Sequence, residues 1–273
     1  MGIRINQELE NCIISDYNNG YGTNYIADKY NLHRSTIQRC LQRNNVELRR
    51  VSPYSHYNVH FFDTYTPESC YWAGFIAADG YIRDDRDATT IHLCNDDINH
   101  LYKIKELTSY EGNISNSKRE CSIMFSGKWF GKKLYENFCL TPRKTHKVII
   151  SEKIPPDMLR HYVRGYFDGD GCISDTQGYP QINFSSGSEI ILKQLIEIFQ
   201  DIGIYLQTKE GKPKIHGIQI DYKCSNAMKI LKWMYEDSTY LTRLDRKYNK
   251  YLSYLNKKYD KIKYEWETNY GYK

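Results

Sequence analysis

Trp72-Ala-Gly-Phe-Ile-Ala-Ala-Asp-Gly80 and Val163-Arg-Gly-Tyr-Phe-Asp-Gly-Asp-Gly171 are two versions of one pattern, and their aspartates, Asp79 and Asp170, stand 91 positions apart. The same offset carries Ile91 onto Ile182, Leu93 onto Phe184, Leu101 onto Leu192 and Ile104 onto Leu195. It then drifts to 95, where Ile123, Phe125 and Lys128 meet Ile218, Ile220 and Lys223. This is an internal duplication with one small insertion, and a repeat of that length sets the architecture before any single element is read.

Each copy predicts the same order. A helix ends at the Asp-Gly pair, over 68–79 and again over 157–170 behind Pro155-Pro156. Strands follow near 80–83 and 89–94, or 172–175 and 181–185. An amphipathic helix comes next, over 96–108 or 188–202, with Leu192, Leu195, Ile196 and Phe199 at helical spacing. Strands at 112–116 and 121–126, or 205–210 and 215–221, lead to a last helix over 128–138 or 225–235. The fold class is α+β: two tandem αββαββα units related by a pseudo-twofold, with helices on one face of each sheet. The strands alternate. Ile91, Leu93, Ile123, Phe125, Ile182, Phe184 and Ile220 face one way. Thr90, His92, Ser122, Met124, Gln181, Asn183, Ser185 and Gln219 face the other. Plain solvent exposure explains such a polar face, and so do base-edge and phosphate contacts in a groove.

The helices ahead of the acids carry small residues at i, i+4: Gly74 with Ala78, and Gly165 with Gly169. Two backbones pack closely along such a stripe, which would set the tips side by side. Gly80 and Gly171 let the chain turn at once into a strand. Two neighbouring carboxylates repel, and shared divalent cations bridged by phosphate oxygens relieve the repulsion.

Both nonamers resemble the paired signatures of LAGLIDADG homing endonucleases, and the resemblance covers roughly residues 60–260. It implies a monomeric, site-specific endonuclease that grips a long asymmetric double-stranded DNA site with two sheets. It also implies Mg²⁺, with Mn²⁺ as a substitute, and cleavage of both strands across the minor groove. Matched to the signature, Asp79 and Asp170 are the catalytic metal ligands, with Gly80 and Gly171 beside them at the metal. Ala77 stands where the second copy keeps Asp168, an acid that is usually structural in the family. The resemblance further implies a basic residue near the metals. Pro142-Arg143-Lys144-Thr145 and Asp245-Arg246-Lys247-Tyr248 offer Lys144 and Lys247, for which a solvated surface charge is the plain alternative. Arg83 and Lys209 join the polar strand residues as expected DNA contacts. An RNA maturase acting on intron RNA and a non-cutting DNA-binding regulator are the alternative functions for this fold.

Residues 1–60 lie outside the duplication. Helices at Glu8–Asn18, Thr23–Tyr30 and about His33–Asn44 resemble a resolvase-type helix-turn-helix. Its recognition helix would present Arg34, Ser35, Thr36, Gln38, Arg39 and Arg43 to a major groove, although any three-helix module has this outline. The expected division is a helix-turn-helix domain at 1–52, a linker at 53–66, units at 67–150 and 151–263, and a tail at 264–273. Leu241–Lys263 predicts a closing helix with Leu241, Leu244, Tyr248, Tyr251, Leu252 and Leu255 on its apolar side.

The bulk properties narrow the classes. Net charge is +5, with seven Lys/Arg against five Asp/Glu in residues 1–60 and nine against four in 240–273, so the basic excess sits at the two ends. The centre keeps its carboxylates, as an enzyme that holds metal with them would. The eight cysteines form no CxxC pair, which argues against structural zinc and for reduced, buried thiols. No apolar run has the length of a membrane span and Met1–Glu10 lacks an apolar signal core, so the expectation is a cytoplasmic or organellar, non-secreted protein.

Overall fold

The computed structural model describes residues 6–19, 21–48, 57–83, 87–176, 179–205, 212–214 and 217–255. Unit one runs α4 (Pro67–Asp79), β1 (Gly80–Arg83), β2 (Ala88–Cys94), α5 (Ile98–Leu107), β3 (Ser115–Asn116), β4 (Glu120–Ser126) and α6 (Lys128–Phe138). Unit two repeats this as α7 (Leu159–Asp170), β5 (Gly171–Thr176), β6 (Tyr179–Ser186), α8 (Glu189–Asp201), β7 (Lys212–Lys214), β8 (Gly217–Lys223) and α9 (Cys224–Tyr235). The sheets have one topology, β1-β2-β4-β3 and β5-β6-β8-β7, antiparallel throughout. The expected order is therefore the observed one. The strand expected at 205–210 is displaced: β7 occupies Lys212–Lys214, and 206–210, with Lys209, lie outside the described residues, as does the tail at 264–273.

Strand register corrects the alignment of the copies. The motif glycine pairs with Ile91 in unit one and with Phe184 in unit two, two positions beyond the Ile182 that a constant offset gives. Ile91 in turn pairs with Ile123, and Phe184 with Ile220. The second hairpin pairs six positions, Gly171↔Phe184 to Thr176↔Tyr179, where the first pairs four, Gly80↔Ile91 to Arg83↔Ala88. Because side chains alternate with period two, a two-residue slip leaves every face assignment intact, so hydrophobic pattern alone does not reveal it.

The two units meet through α4 and α7. Thr66 caps α4 by accepting from Ser69 N at 3.1 Å while Ser69 Oγ accepts from Thr66 N at 2.8 Å, and Pro67 supplies a first-turn φ. Apart from its last turn and Pro67–Glu68, α4 is buried from end to end. The glycines explain how it can pack so closely. A Cβ on Gly74 would stand 2.0 Å from the carbonyl oxygen of Tyr162, and one on Gly165 would stand 1.9 Å from that of Tyr71. These contacts are each other's images under the pseudo-twofold. Nearer the tips, a Cβ on Gly169 would lie 2.3 Å from Ala78 Cβ. The interface therefore has room for one methyl there.

One apolar cluster runs from Phe62 to Tyr254 through both units. Phe62 is fully buried, and Tyr57, Phe61 and Tyr65 pack beside it. The described part of the expected linker, from Tyr57 on, thus belongs to the core of unit one. The segments after α6 and α9 cross over. In one direction, Gln194 of α8 holds the N–H and carbonyl of Ile150, and Ser188 donates to Val148 O. In the other, Lys103 of α5 donates to Arg243 O and Asp245, and Arg246 pairs with Asp97. The closing helix, α10, is helical over 245–255, with Leu244, Lys247, Tyr251 and Tyr254 buried. No helix of the described residues is long and apolar enough to cross a membrane. All eight cysteines are free, but only Cys40, Cys70 and Cys121 are buried, while Cys12, Cys94, Cys172 and Cys224 are exposed.

The N-terminal helices α1 (Gln7–Asn18), α2 (Thr23–Lys29) and α3 (Arg34–Arg43) enclose a separate core of Ile13, Tyr17, Ile26, Ala27, Ile37, Cys40 and Leu41. Tyr21 stacks on Tyr25, with centroids 4.7 Å apart, and meets His60 at 4.3 Å.

The methyl rule at the helix tips gives a test. Gly169→Ala is expected to lower stability by about 1–3 kcal/mol through overpacking. Adding Ala78→Gly moves the methyl across the interface and should recover most of the loss. Urea melts of the two single variants and the double variant measure the coupling, and strictly additive losses would refute it.

Candidate active site

Asp79 and Asp170 are the last residues of α4 and α7, so the helix contact that buries Gly74 and Gly165 delivers both acids to one point. Asp79 is half-buried and Asp170 exposed. A Cβ on Gly169, the residue before Asp170, would lie 3.4 Å from Asp79 Oδ2, which places that carboxylate against the other helix's tip. The glycines after the acids serve a different purpose from a turn. Gly80 and Gly171 have φ of −82°, ordinary extended backbone. What requires glycine is space: a Cβ would come within 2.5 Å of Ile76 Cγ2 or 2.2 Å of Phe167 Cδ2.

Each helix end is capped by a lysine from the segment after its own unit. Lys144 Nζ donates to Ala78 O at 3.0 Å, its one hydrogen bond among the described residues. Lys247 Nζ donates to Phe167 O at 2.6 Å, Asp168 O at 2.8 Å and Gly171 O at 2.5 Å, with Gly169 O at 3.5 Å. An ammonium among terminal carbonyls satisfies orphan acceptors and offsets the negative end of the helix dipole. Lys247 is thus a buried residue rather than a solvated charge, and Lys144 is half-buried. Burial pushes both ammonium groups down to about 8, against the pull of nearby carboxylates, among them Asp79 in both cases.

The acids move the other way. Loss of hydration is the largest cause raising Asp170 to about 6, and the neighbouring Asp79 charge adds to it, with Lys144 and Lys247 opposing. Burial also raises Asp79, against Lys247, Lys144 and Arg246. Gly171 is ill-suited to bind a cation, because its carbonyl already accepts from the Lys247 ammonium. Among the described residues no such ammonium reaches the Gly80 carbonyl.

Asp168, which the resemblance marked as structural, holds this arrangement together with Arg164, Tyr71 and Tyr235, to which the sequence reading gave no role. Asp168, inaccessible within α7, accepts from Tyr71 Oη at 2.8 Å, Tyr235 Oη at 2.5 Å and Leu244 N at 2.7 Å, so it ties α4, α9 and the closing segment together. Arg164, one turn earlier and also inaccessible, donates to Thr242 O at 2.7 Å, Asp237 at 3.0 Å, His161 Nδ1 at 2.8 Å and the Met234 carbonyl. Burial first, and the Arg164 charge second, push His161 down to about 4, which keeps it a neutral acceptor. An Arg and an Asp four apart within the buried run 161–168 of α7 was the available signal.

The polar strand faces are unequal. On sheet one His92 and Met124 are exposed and Ser122 and Arg83 half-exposed, but Thr90 is only 5% exposed, between its cross-strand neighbours Tyr81 and Met124. Thr90 is thus removed from the expected contact set. Tyr81, its partner on β1, is exposed. On sheet two Gln181, Asn183, Ser185 and Gln219 line one face with Asp221, to which Gln219 donates. In the N-terminal module Arg34 and Arg39 are exposed, and Ser35, Thr36 and Gln38 half-exposed. Arg43 is tied to Glu10 at 3.0 Å, which draws it back onto α1.

Fold and site together define a pair of αββαββα units carrying acids at the tips of their paired helices. Residues 157–234, most of unit two, match the LAGLIDADG-like domain. Unit one repeats the topology and helix contact of that matched unit. No curated protein sequence matches. Among solved structures, the LAGLIDADG meganuclease I-AabMI on uncleaved DNA is similar at 13% identity and a TM-score of 0.48, over 70% of this chain and 89% of that one. The LAGLIDADG homing endonuclease I-LtrWI on target DNA is similar at 12% identity and a TM-score of 0.45, over 75% and 93%. The meganuclease I-SmaMI on uncleavable DNA stands at 9% identity and 0.44, over 70% and 89%.

The raised Asp170 has a measurable cost. Its folded value of about 6 lies above the ordinary 3.8, so the charged form is disfavoured by folding. The contribution of Asp170 to stability therefore falls as pH rises from 3.8 through 6. Without added metal, Asp170→Asn should be more stable than wild type above pH 6, by about 1 kcal/mol after solvent screening is allowed for, and should lose the advantage below 3.8. Melting curves across that range decide it, and a pH-independent difference would contradict the assignment.

Proposed function

We propose that the chain is a site-specific DNA endonuclease that hydrolyses both strands of a long asymmetric site with Mg²⁺ held at Asp79 and Asp170. The observation that carries this reading is the meeting of two carboxylates at adjoining helix tips, with an ammonium behind each. Among the described residues no group of three or more His, Cys, Asp or Glu stands together. Two carboxylates that leave the remaining positions to water and phosphate oxygens suit a hard cation such as Mg²⁺, and Mn²⁺ accepts the same donors. When bound, such ions would supply charge for the developing phosphorane and an acidified water. Asp79 and Asp170 orient that charge, and the apolar α4–α7 pair fixes their separation.

β1 and β5 start directly from the acids, so the two polar sheet faces flank them as pseudo-twofold mates. His92, Ser122, Met124 and Arg83 on one sheet, and Gln181, Asn183, Ser185 and Gln219 on the other, are the proposed readers of duplex DNA, two different sets for two different half-sites. Both halves lie in one chain, so a monomer suffices. The module at 1–52 is proposed to bind DNA alongside through Arg34, Ser35, Thr36, Gln38 and Arg39 on α3.

The decisive experiment incubates the protein and Mg²⁺ with a plasmid library carrying randomised inserts, then sequences the cut ends. A single enriched site is expected. Asp79→Asn and Asp170→Asn should each lower cleavage at least about 100-fold, and Mg²⁺ should raise the melting temperature of wild type but of neither variant. Selective retention of DNA with no cut ends would instead identify a non-cutting regulator. Removal of residues 1–52 is expected to weaken binding while the selected cleavage position stays the same; loss of cutting on saturating DNA would remove the module's proposed accessory role.

A further inference from the structure

The two lysines at the helix tips look equivalent in sequence, yet their surroundings differ in kind. Lys247 is 5% exposed, and its three N–H bonds are matched by three close carbonyl oxygens, those of Phe167, Asp168 and Gly171. A fully donated ammonium has no proton left to offer a water or a phosphate. Lys144 is half-buried and among the described residues reaches Ala78 O alone, which leaves two N–H bonds beside the acids. The frames that hold the lysines differ too. Asp168 grips the backbone N–H of Leu244, three residues before Lys247, and is itself gripped by Tyr71 and Tyr235. Unit one has Ala77 in place of Asp168, and the segment carrying Lys144 is fastened nearby through His146, whose ring meets Gly187 O at 3.1 Å.

We propose that the active site is functionally asymmetric: Lys144 alone touches the reacting water or phosphate, while Lys247 is a positioning residue, held in register by Asp168, that pins the end of α7 and with it Asp170. This deepens the nuclease reading and rests on it for the word "reacting". The difference in the availability of the two amines stands without that reading. Each strand is cut at one side of the acid pair, so loss of Lys144 falls unevenly on the two strands. Loss of Lys247 loosens Asp170, an acid common to the site, and affects both.

The test has two arms. In the first, the native full-length protein is treated with an amine-acylating reagent and the modified lysines are read by mass spectrometry. Lys144 should label, and Lys247 should stay protected until the protein unfolds. Asp168→Ala should expose Lys247 to labelling, while Asp168→Asn, whose amide oxygen in the Oδ2 position still accepts from Leu244 N and Tyr71 while its NH2 faces the Tyr235 hydroxyl, should keep it protected. Equal labelling of both lysines in wild type overturns the proposal whether or not the protein cuts DNA. In the second arm, duplexes of the library-selected site, end-labelled on either strand, are cut with Mg²⁺. Lys144→Met is expected to slow one strand about 100-fold more than the other at an unchanged melting temperature. Lys247→Met is expected to slow both strands alike and to melt several degrees lower. Equal slowing of both strands by Lys144→Met overturns the catalytic half. A wild type that selects no site fails the nuclease reading instead, leaving the labelling arm to decide the availability of the amines.

Discussion

The contact of α4 with α7, backbone against backbone at Gly74 and Gly165, is the constraint on which the rest of the molecule depends. A single Cβ at either position would lie about 2 Å from the opposing carbonyl oxygen of Tyr162 or Tyr71. With hydrogen in its place the helices approach until their ends adjoin, and whatever residue ends each helix is brought to one point. The interface, being dry, excludes polar groups unless their partners are built in. Arg164 and Asp168 meet that condition, each with at least three partners.

The same geometry makes the site costly to hold empty. Asp79 and Asp170 lose hydration, and Asp170 also stands in the field of Asp79. Both are anions at the negative end of a helix, where the dipole disfavours them. Lys144 and Lys247 offset this locally by donating to the last carbonyls of the two helices. The lysines resist in turn, since their own burial draws them down to about 8. Four groups are thus held in charge states that water would stabilise better. A bound divalent cation would relieve the acids directly and the lysines not at all, so the acids belong to the binding step and the fully donated Lys247 to the permanent frame.

Much of this was legible in the sequence because duplication supplies a second copy to read against the first. The order of elements, the acids, the small-residue stripe and the alternating strand faces all follow from periodicity. Register did not follow: Ile91 matches Phe184 rather than Ile182, and a slip of two residues leaves every side chain on its own face. Burial within a polar face was also hidden, since Thr90 alternates correctly and is nonetheless covered. The glycines after the acids looked like turn residues, and they serve close approach instead. The Asp168 network escaped because Tyr71, Tyr235 and Leu244 are far apart in the chain, and only the fold brings them to one carboxylate.

That network also explains why the copies differ as they do. In the register the sheets define, Phe138 at the end of α6 takes the place that Tyr235 holds at the end of α9. Unit two has an acid and the hydroxyl that donates to it; unit one has Ala77 and a phenyl ring with nothing to donate. The two changes are consistent as a pair. A buried carboxylate at position 77 would face one donor fewer than Asp168 has, and an under-satisfied buried acid costs more than an alanine in the same space. Phe138 instead stacks at 8° on Tyr162, the counterpart of Tyr71, and fills apolar contact where unit two has hydrogen bonds. The divergence therefore replaces one complete solution of the core with another. Its side effect reaches the active site, because the acid that disappeared is the one whose counterpart fixes the segment carrying the second lysine.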